Sequence, residues 1–246
     1  MKQTEEIYSN TKLSPILILV PTYNEIENIE KFIRYFYEHL NYDLLINDDD
    51  SPDGTGDAAK KLQSKFTNLH VIIRKSGRGR GSASIRGYQY FFEQQYDFLV
   101  EMDADFQESV EDVETLIQEA QRENSDLVVG SRYVDEGGFI NRKWEKRALS
   151  QAARFGIKLL FESKIKDLTC GFHLIQRNVF DMVPIGDLIS NGFFLFSEIH
   201  LRAERENLKI TEVPIFFPDR REGQSKINLG LVFEFIRETI QVRIAL

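Results

Sequence analysis

A single cysteine, Cys170, stands among 246 residues. An internal disulfide framework is therefore excluded, as is a cysteine-rich zinc site, and the composition suits a reducing compartment. Apolar runs are short, and none approaches the roughly 18 residues that a membrane-crossing helix needs. Residues 1–14 are polar, include Glu5 and Glu6 and lack an apolar signal core, so no secretory leader is expected. Positive charge is outweighed: 31 lysines and arginines face 39 aspartates and glutamates, for a formal net charge of −8. A general nucleic-acid binder should carry a dominant basic footprint, so no nucleic-acid partner is expected. The four histidines have no metal-ligand spacing, and no serine sits in a nucleophile elbow, which speaks against a hydrolase. There is no internal repeat, low-complexity tract or Pro/Gly linker. The expected organisation is a flexible arm over 1–14 and one domain over 15–246 of a cytoplasmic protein.

The sequence does contain a steady alternation of apolar strands and amphipathic helices up to about residue 133. Ile16–Val20 reads as a central strand covered on both faces, and Leu44–Ile46, Val71–Ile73, Leu99–Val100 and Leu127–Val129 read as further strands. Helices are expected after the first four, including one over about 56–66 and one running to Gln95, with Ser109 as a cap for the fourth. The pattern predicts an α/β fold with a mainly parallel sheet and right-handed crossovers. Such sheets bind ligands beyond the carboxyl ends of their strands. The polar clusters Pro21–Glu25, Asn47–Thr55, Gly77–Gly81, Asp103–Gln107 and Gly130–Tyr133 all fall there. One composite site built from several loops is the expectation.

Its centre is Asp103-Ala104-Asp105. In an extended chain the two carboxylates share a side, where they repel unless a cation lies between them. A divalent metal carrying a diphosphate suits such oxygens; a solvated turn is the ordinary alternative for an isolated pair. The acidic run Asp48–Asp53 is not an EF-hand, because aligning Gly54 with the loop glycine puts Pro52 inside it and Lys60 at the glutamate position. Gly77–Gly81 is neither a P-loop nor a dinucleotide fingerprint, although its arginines at a helix start suit an anion. Arg132, Arg220 and Lys226, on loops able to converge, form a possible phosphate clamp.

Further motifs complete a series: Asp167-Leu168-Thr169-Cys170-Gly171-Phe172, Glu212-Val213-Pro214-Ile215, and Asp219-Arg220 through Ser225-Lys226. With the clusters above, they resemble, in order and over roughly residues 15–235, the dolichyl-phosphate (polyprenyl-phosphate) mannosyltransferases among the inverting family 2 glycosyltransferases of GT-A fold. The resemblance implies a single GT-A domain with a nucleotide-sugar-binding half (about 15–133) and an acceptor-side half (about 134–246) closed by C-terminal amphipathic helices. It implies donor binding by Pro21, Tyr23, Glu25, Asn47, Asp49, Asp103, Ala104, Asp105, Arg220 and Lys226. Catalysis would rest on Asp103, Asp105 and Arg132, with Mg or Mn on Asp105, Gln107 and Asp103. The implied reaction moves a sugar, mannose from GDP-mannose first, onto a polyprenyl phosphate. Asn47, Asp50 and Gly81-Ser82-Ala83-Ser84 depart from the family pattern, so UDP-glucose or UDP-N-acetylhexosamine donors, and a hydroxyl acceptor, stay open. A non-catalytic nucleotide-sugar-binding subunit is the remaining alternative.

Between Arg142 and Lys166 lie eight basic and two acidic residues, in a chain whose net charge is −8. A helix is predicted over 144–161, with Trp144, Ala148, Leu149, Ala152, Phe155, Leu159 and Leu160 on one face. Such a helix either packs on the core or lies on an anionic membrane. The second choice predicts a peripheral protein on the cytoplasmic face of a membrane, with a separate anchoring partner possible. A strand over 210–217 and a last helix with a polar stripe of Glu234, Arg237, Glu238 and Gln241 complete the expectation.

Overall fold

The computed structural model describes residues 5–8, 15–140, 144–218 and 229–246. In chain order the elements begin Glu5–Tyr8 (β1), Ile16–Thr22 (β2), Ile26–His39 (α1), Asp43–Asp48 (β3), Thr55–Leu62 (α2), Leu69–Arg74 (β4) and Arg80–Glu93 (α3). Phe98–Glu101 (β5), Asp112–Glu123 (α4), Leu127–Ser131 (β6), Gly138–Ile140 (β7) and Trp144–Phe161 (α5) follow. His173–Gln176 (β8), Arg177–Met182 (α6), Leu195–Arg205 (α7), Ile210–Pro214 (β9), Phe216–Pro218 (β10) and Leu229–Ala245 (α8) close the chain.

Every residue of β2, β3 and β4 is buried, the signature of strands covered by helices on both sides. The main sheet has the order β1-β4-β3-β2-β5-β8-β6-β9. The β4-β3-β2-β5 pairings and the β6-β9 pairing are parallel. Connections run outward from β2 to β3 and β4, then return to β5 on its other side. The crevice between the ends of β2 and β5 is therefore the switch point at which such sheets bind ligands. One hydrophobic core spans both faces of the sheet, and a smaller cluster joins Ile157 and Phe161 of α5, Phe194, Leu201 and Val242.

Four details differ from the expectation. The supposed loose arm contributes β1, antiparallel to β4, where it covers that strand's otherwise open edge. The four-residue β8 enters antiparallel between β5 and β6. The strand foreseen over 210–217 is two strands, because after Pro214 the chain leaves the main sheet and β10 pairs with β7 in a separate ribbon. Ser109 does not cap α4; its hydroxyl donates to the Glu111 side chain instead.

The last helix keeps Arg237 and Gln241 of its expected polar stripe exposed but departs from it at Glu238. Glu238 is buried, whereas Phe233, Ile236, Ile240 and Ile244 face outward. The Glu238 Oε1 accepts the backbone N–H groups of Asn191 (2.8 Å) and Gly192 (3.0 Å), which compensates for placing a carboxylate inside. On α5, Phe155, Leu159 and Leu160 are likewise exposed.

Candidate active site

Loops at the carboxyl ends of the strands are bound to one another by short polar side chains. Asp48 accepts Thr22 Oγ1 at 2.8 Å and Ser51 Oγ at 2.6 Å, tying the ends of β2 and β3 together. Asp53 takes Ile26 N at 3.1 Å and Thr55 Oγ1 at 2.6 Å, so it fixes the start of α1 against that of α2. Much of the acidic run is therefore scaffold. Asp49 is held differently: Arg74 Nη1 lies 2.5 Å from Oδ1 and Gly79 N 2.8 Å from Oδ2. Burial pushes its carboxyl above the ordinary aspartate value, against the pull of the Gly79 N–H and Arg74. Above it stand Tyr23 and Arg78, the guanidinium 5.7 Å from the ring centroid.

The glycine-rich loop positions its arginines toward the protein's own carboxylates. Gly79 has φ of +146°, a region closed to most side chains, and lets the chain turn sharply into α3. Arg78 pairs with Asp50 at 3.5 Å, and Arg80 with both Glu101 (2.5 Å) and Asp103 (2.9 Å).

β5 ends at Glu101, so Asp103 and Asp105 lie on an irregular bend rather than on an extended strand, and the alternation argument does not apply to them. Phe106, at φ of +58°, turns the chain back toward α1, where its ring packs edge-on against Phe32 and Tyr35. Asp105 is buried and accepts Gln107 N at 3.1 Å; Gln107 Nε2 donates to Pro218 O at 2.9 Å. A third carboxylate escaped the sequence reading. Glu108 is buried and accepts Asp103 N at 2.7 Å, and burial, Asp103 and Asp105 together push its carboxyl well above the usual range. The signal lay in the sequence as another acid three residues after Asp105. This concentration of hard oxygen atoms suits a magnesium- or manganese-like cation. Among the described residues, no three His, Cys, Asp or Glu side chains are grouped to hold a metal alone. Oxygens brought by a ligand would have to complete its shell.

The remaining expected residues divide. Tyr23 and Glu25 border the crevice, Glu25 taking Asn28 Nδ2 at 3.0 Å while its backbone N donates to Thr55 Oγ1 at 2.9 Å. Ala104 is buried between the aspartates. Pro21 and Asn47 are buried in β2 and β3, register partners in the sheet. The fully buried Asn47 donates from Nδ2 to Ala83 O at 2.6 Å, so it braces α3 rather than lining the crevice. Arg132 is engaged by Asp167 and faces the rings of Tyr133, Phe139 and Phe217. Arg220 and Lys226 lie outside the described residues, as do Arg142 and Lys143. Alongside Gln107, an open groove of about 550 Å³ runs between α1 and the β7–β10 ribbon, lined by Lys31, Tyr35, Phe106, Ile140 and Phe216 among others.

The sheet order, crevice and acidic loop define an α/β protein of the GT-A type, and solved structures share that fold. Glucosyl-3-phosphoglycerate synthase of Mycobacterium tuberculosis superposes with a TM-score of 0.68 at 17% identity, covering 94% of this chain and 78% of that one. A mannosyltransferase from Pyrobaculum calidifontis, in complex with GDP-Man and Mn2+, gives 0.60 at 15%, over 91% and 62%. The glycosyl transferase family 2 model matches residues 17–183, and the chain belongs to that family of glycosyltransferase enzymes. Its relatives include the undecaprenyl-phosphate mannosyltransferase of Micrococcus luteus, 32% identical over 90% of both chains. The polyprenol monophosphomannose synthase of Mycolicibacterium smegmatis is 34% identical over 86% of this chain and 80% of its own.

Proposed function

We propose that this enzyme moves a sugar, mannose from GDP-mannose, onto the phosphate of a polyprenyl lipid with inversion at the anomeric carbon. The observation that carries this reading is the 32% identity to an undecaprenyl-phosphate mannosyltransferase over 90% of both chains. The crevice supports it, since donor and acceptor both bring phosphates and the loops supply oxygen and guanidinium groups in separate places.

Tyr23, Glu25 and Asp49 would receive the nucleoside, with Pro21, Asn47 and Ala104 shaping the walls behind them. Asp103 and Asp105 would meet the donor's diphosphate and sugar. Asp105 and Gln107, with Asp103 beside them, would hold Mg or Mn, as their oxygen donors allow. A divalent cation there would supply charge neutralisation for the departing diphosphate. Arg132, Arg220 and Lys226 would steady the phosphates against mutual repulsion. An oxygen of the acceptor phosphate attacks the anomeric carbon as the bond to the diphosphate breaks, whose oxygen keeps the electron pair. A phosphate monoester is ionised near neutral pH, so no general base is required. The groove beside Gln107, with Lys31 near exposed Ile140 and Phe216, suits the first prenyl units of the acceptor.

Donor binding would lie in about 15–133 and the acceptor side in about 134–246. The outward apolar faces of α5 and α8 support a peripheral position on a membrane; in this reading the surface is anionic and cytoplasmic, and a separate chain would supply any firmer anchor. Among the described residues no helix is long and apolar enough to cross a membrane.

The test is a donor panel of GDP-mannose, UDP-glucose and UDP-N-acetylglucosamine with a short polyprenyl phosphate and manganese, read by mass spectrometry. A hexosyl lipid phosphate formed from GDP-mannose is expected. Preference for a UDP-sugar would overturn the donor assignment, and no lipid product from any donor would overturn the acceptor.

A further inference from the structure

Under the acidic loop lies a charged cluster that the proposed reaction leaves unused. Glu101, the last residue of β5, is fully buried. Its Oε1 accepts Arg80 Nη1 and Ser84 Oγ, each at 2.5 Å, and its Oε2 accepts Tyr88 OH at 2.6 Å. His173 Nε2 stands 3.7 Å from the same carboxylate. Arg80 is thus the charge partner of a carboxylate buried beneath the loop.

Arg80 is bound from below by this carboxylate and from the side by Ser84 Oγ at 2.7 Å, with Phe196 under its guanidinium 4.9 Å from the ring centroid. Its backbone is equally constrained: a Cβ on the next residue, Gly81, would sit 2.5 Å from the Asn191 carbonyl carbon. From this seat Arg80 Nη2 reaches Asp103 Oδ1 at 2.9 Å. The arginine side chain is 15% exposed and the aspartate 38%, so the pair is firm underneath and open above. With Oδ1 taken by Arg80, Oδ2 is the Asp103 oxygen left for a ligand.

We infer that Arg80, clamped by Glu101, is a positioning residue: it holds the Asp103 carboxylate in place for the donor and limits the share that Asp103 takes in the divalent cation beside Asp105 and Gln107. A guanidinium already on Oδ1 repels a second cation on the same carboxylate. The same guanidinium does not oppose a hydroxyl, which donates to Oδ2 and adds no charge. This inference rests on the proposed use of the crevice for a nucleotide sugar and a metal.

Calorimetry on the whole protein tests it, with Mn2+ titrated in the presence of GDP and with GDP-mannose titrated at saturating Mn2+; UDP and UDP-glucose serve as the parallel pair. Arg80→Met combined with Glu101→Met removes both charges together, so no lone buried ion remains. In that variant Mn2+ should bind about threefold tighter, because Asp103 is released to share it, while the nucleotide sugar binds about tenfold weaker. Arg80→Lys should stay close to the wild type on both. Opposed changes are a signature that general damage to the fold does not give. Parallel weakening, or no change in either affinity, at a preserved melting temperature overturns the inference. Should the double variant not fold, Arg80→Gln combined with Glu101→Gln decides by the same two titrations: opposed changes support the inference, and parallel or absent changes overturn it. A wild-type protein that binds neither nucleotide with Mn2+ overturns the proposed function itself, and this inference with it.

Discussion

Arg132 and Asp167 meet in a two-pronged ion pair, Nε to Oδ2 at 2.7 Å and Nη2 to Oδ1 at 2.8 Å. The pair is the end of a chain of latches. Glu212 on β9 accepts the backbone N–H groups of Lys166 (2.8 Å) and Asp167 (2.9 Å), which sets the Asp167 carboxylate under Arg132. The guanidinium then lies among Tyr133, Phe139 and Phe217, from the end of β6 and from β7 and β10. The motif segments at 167–172 and 212–215 thus join the β7–β10 ribbon to the main sheet.

Asp167→Asn should accordingly be strongly destabilising, since it leaves the Arg132 charge buried with a neutral partner. Breaking such a pair from one side costs about 3–5 kcal/mol, for a fall in Tm on the order of 10 °C in a domain of this size. Arg132→Lys keeps the charge, loses the fork and should fall between. Thermal melts of the three proteins check this, and an Asp167→Asn melt equal to the wild type refutes the latch.

Strand-and-helix alternation made the parallel half of the sheet legible, because β2, β3 and β4 are apolar and buried along their whole length. It failed where the pattern is short or polar. β8 has only four residues, of which His173 is a buried polar one. α7 carries Ser197, Glu198 and His200 on its buried side, so its helical period is hidden from a hydrophobicity reading. In the site, the local motifs do lie on the strand-end loops, but they do not tell which way each side chain is turned. Asn47 turned out to be a brace and Arg80 a clamp, because their partners, Ala83, Glu101 and Asp103, are set by strand-end packing across 20 or more residues.

Asp105 should be indispensable to catalysis and dispensable to folding. It is buried, and the partner in its bond from Gln107 N is a local one that a loop can replace. Asp105→Ala should abolish metal-dependent transfer while the melting temperature moves by only a few degrees. Near-wild-type turnover at saturating manganese would defeat the assignment of the cation to Asp105.

His200 predicts a pH effect on stability. Its Nε2 lies 3.1 Å from His173 Nδ1 on β8, with Glu101 of β5 beyond. Burial, and then His173, hold the His200 pKa well below its ordinary 6.5, so the folded protein keeps this ring neutral. Below pH 6.5 the unfolded chain takes a proton there that the folded one refuses, so stability declines as pH falls, by at most about 1.4 kcal/mol per unit from this site. His200→Gln should flatten the dependence between pH 6.5 and 5. Denaturant titrations across that range measure the slope, and an unaltered slope assigns the acid sensitivity elsewhere.

The outer faces of α5 and α8 present apolar side chains that the fold does not use: Leu159 is 68% exposed and Phe233 69%. In α8 the inward line is instead Phe235, Glu238 and Val242, the first and last packed with the small cluster and the glutamate bound to Asn191 and Gly192. The helix can therefore be altered on its outside without touching what seats it. Burying four or five such side chains at a lipid interface is worth about 1.5–3 kcal/mol each at most, enough for reversible attachment once nearby basic groups add their attraction to anionic headgroups. Lys164 and Lys166 are exposed beside α5, whereas Arg154 is turned back over Tyr133 at 4.2 Å and should contribute little. Flotation with phosphatidylserine-containing liposomes should carry the wild type upward at low salt and less of it at high salt. Leu159→Glu combined with Phe233→Glu should remain with the soluble fraction while melting normally. Wild-type protein that stays at the bottom of the gradient at low salt rules out a membrane role for this face.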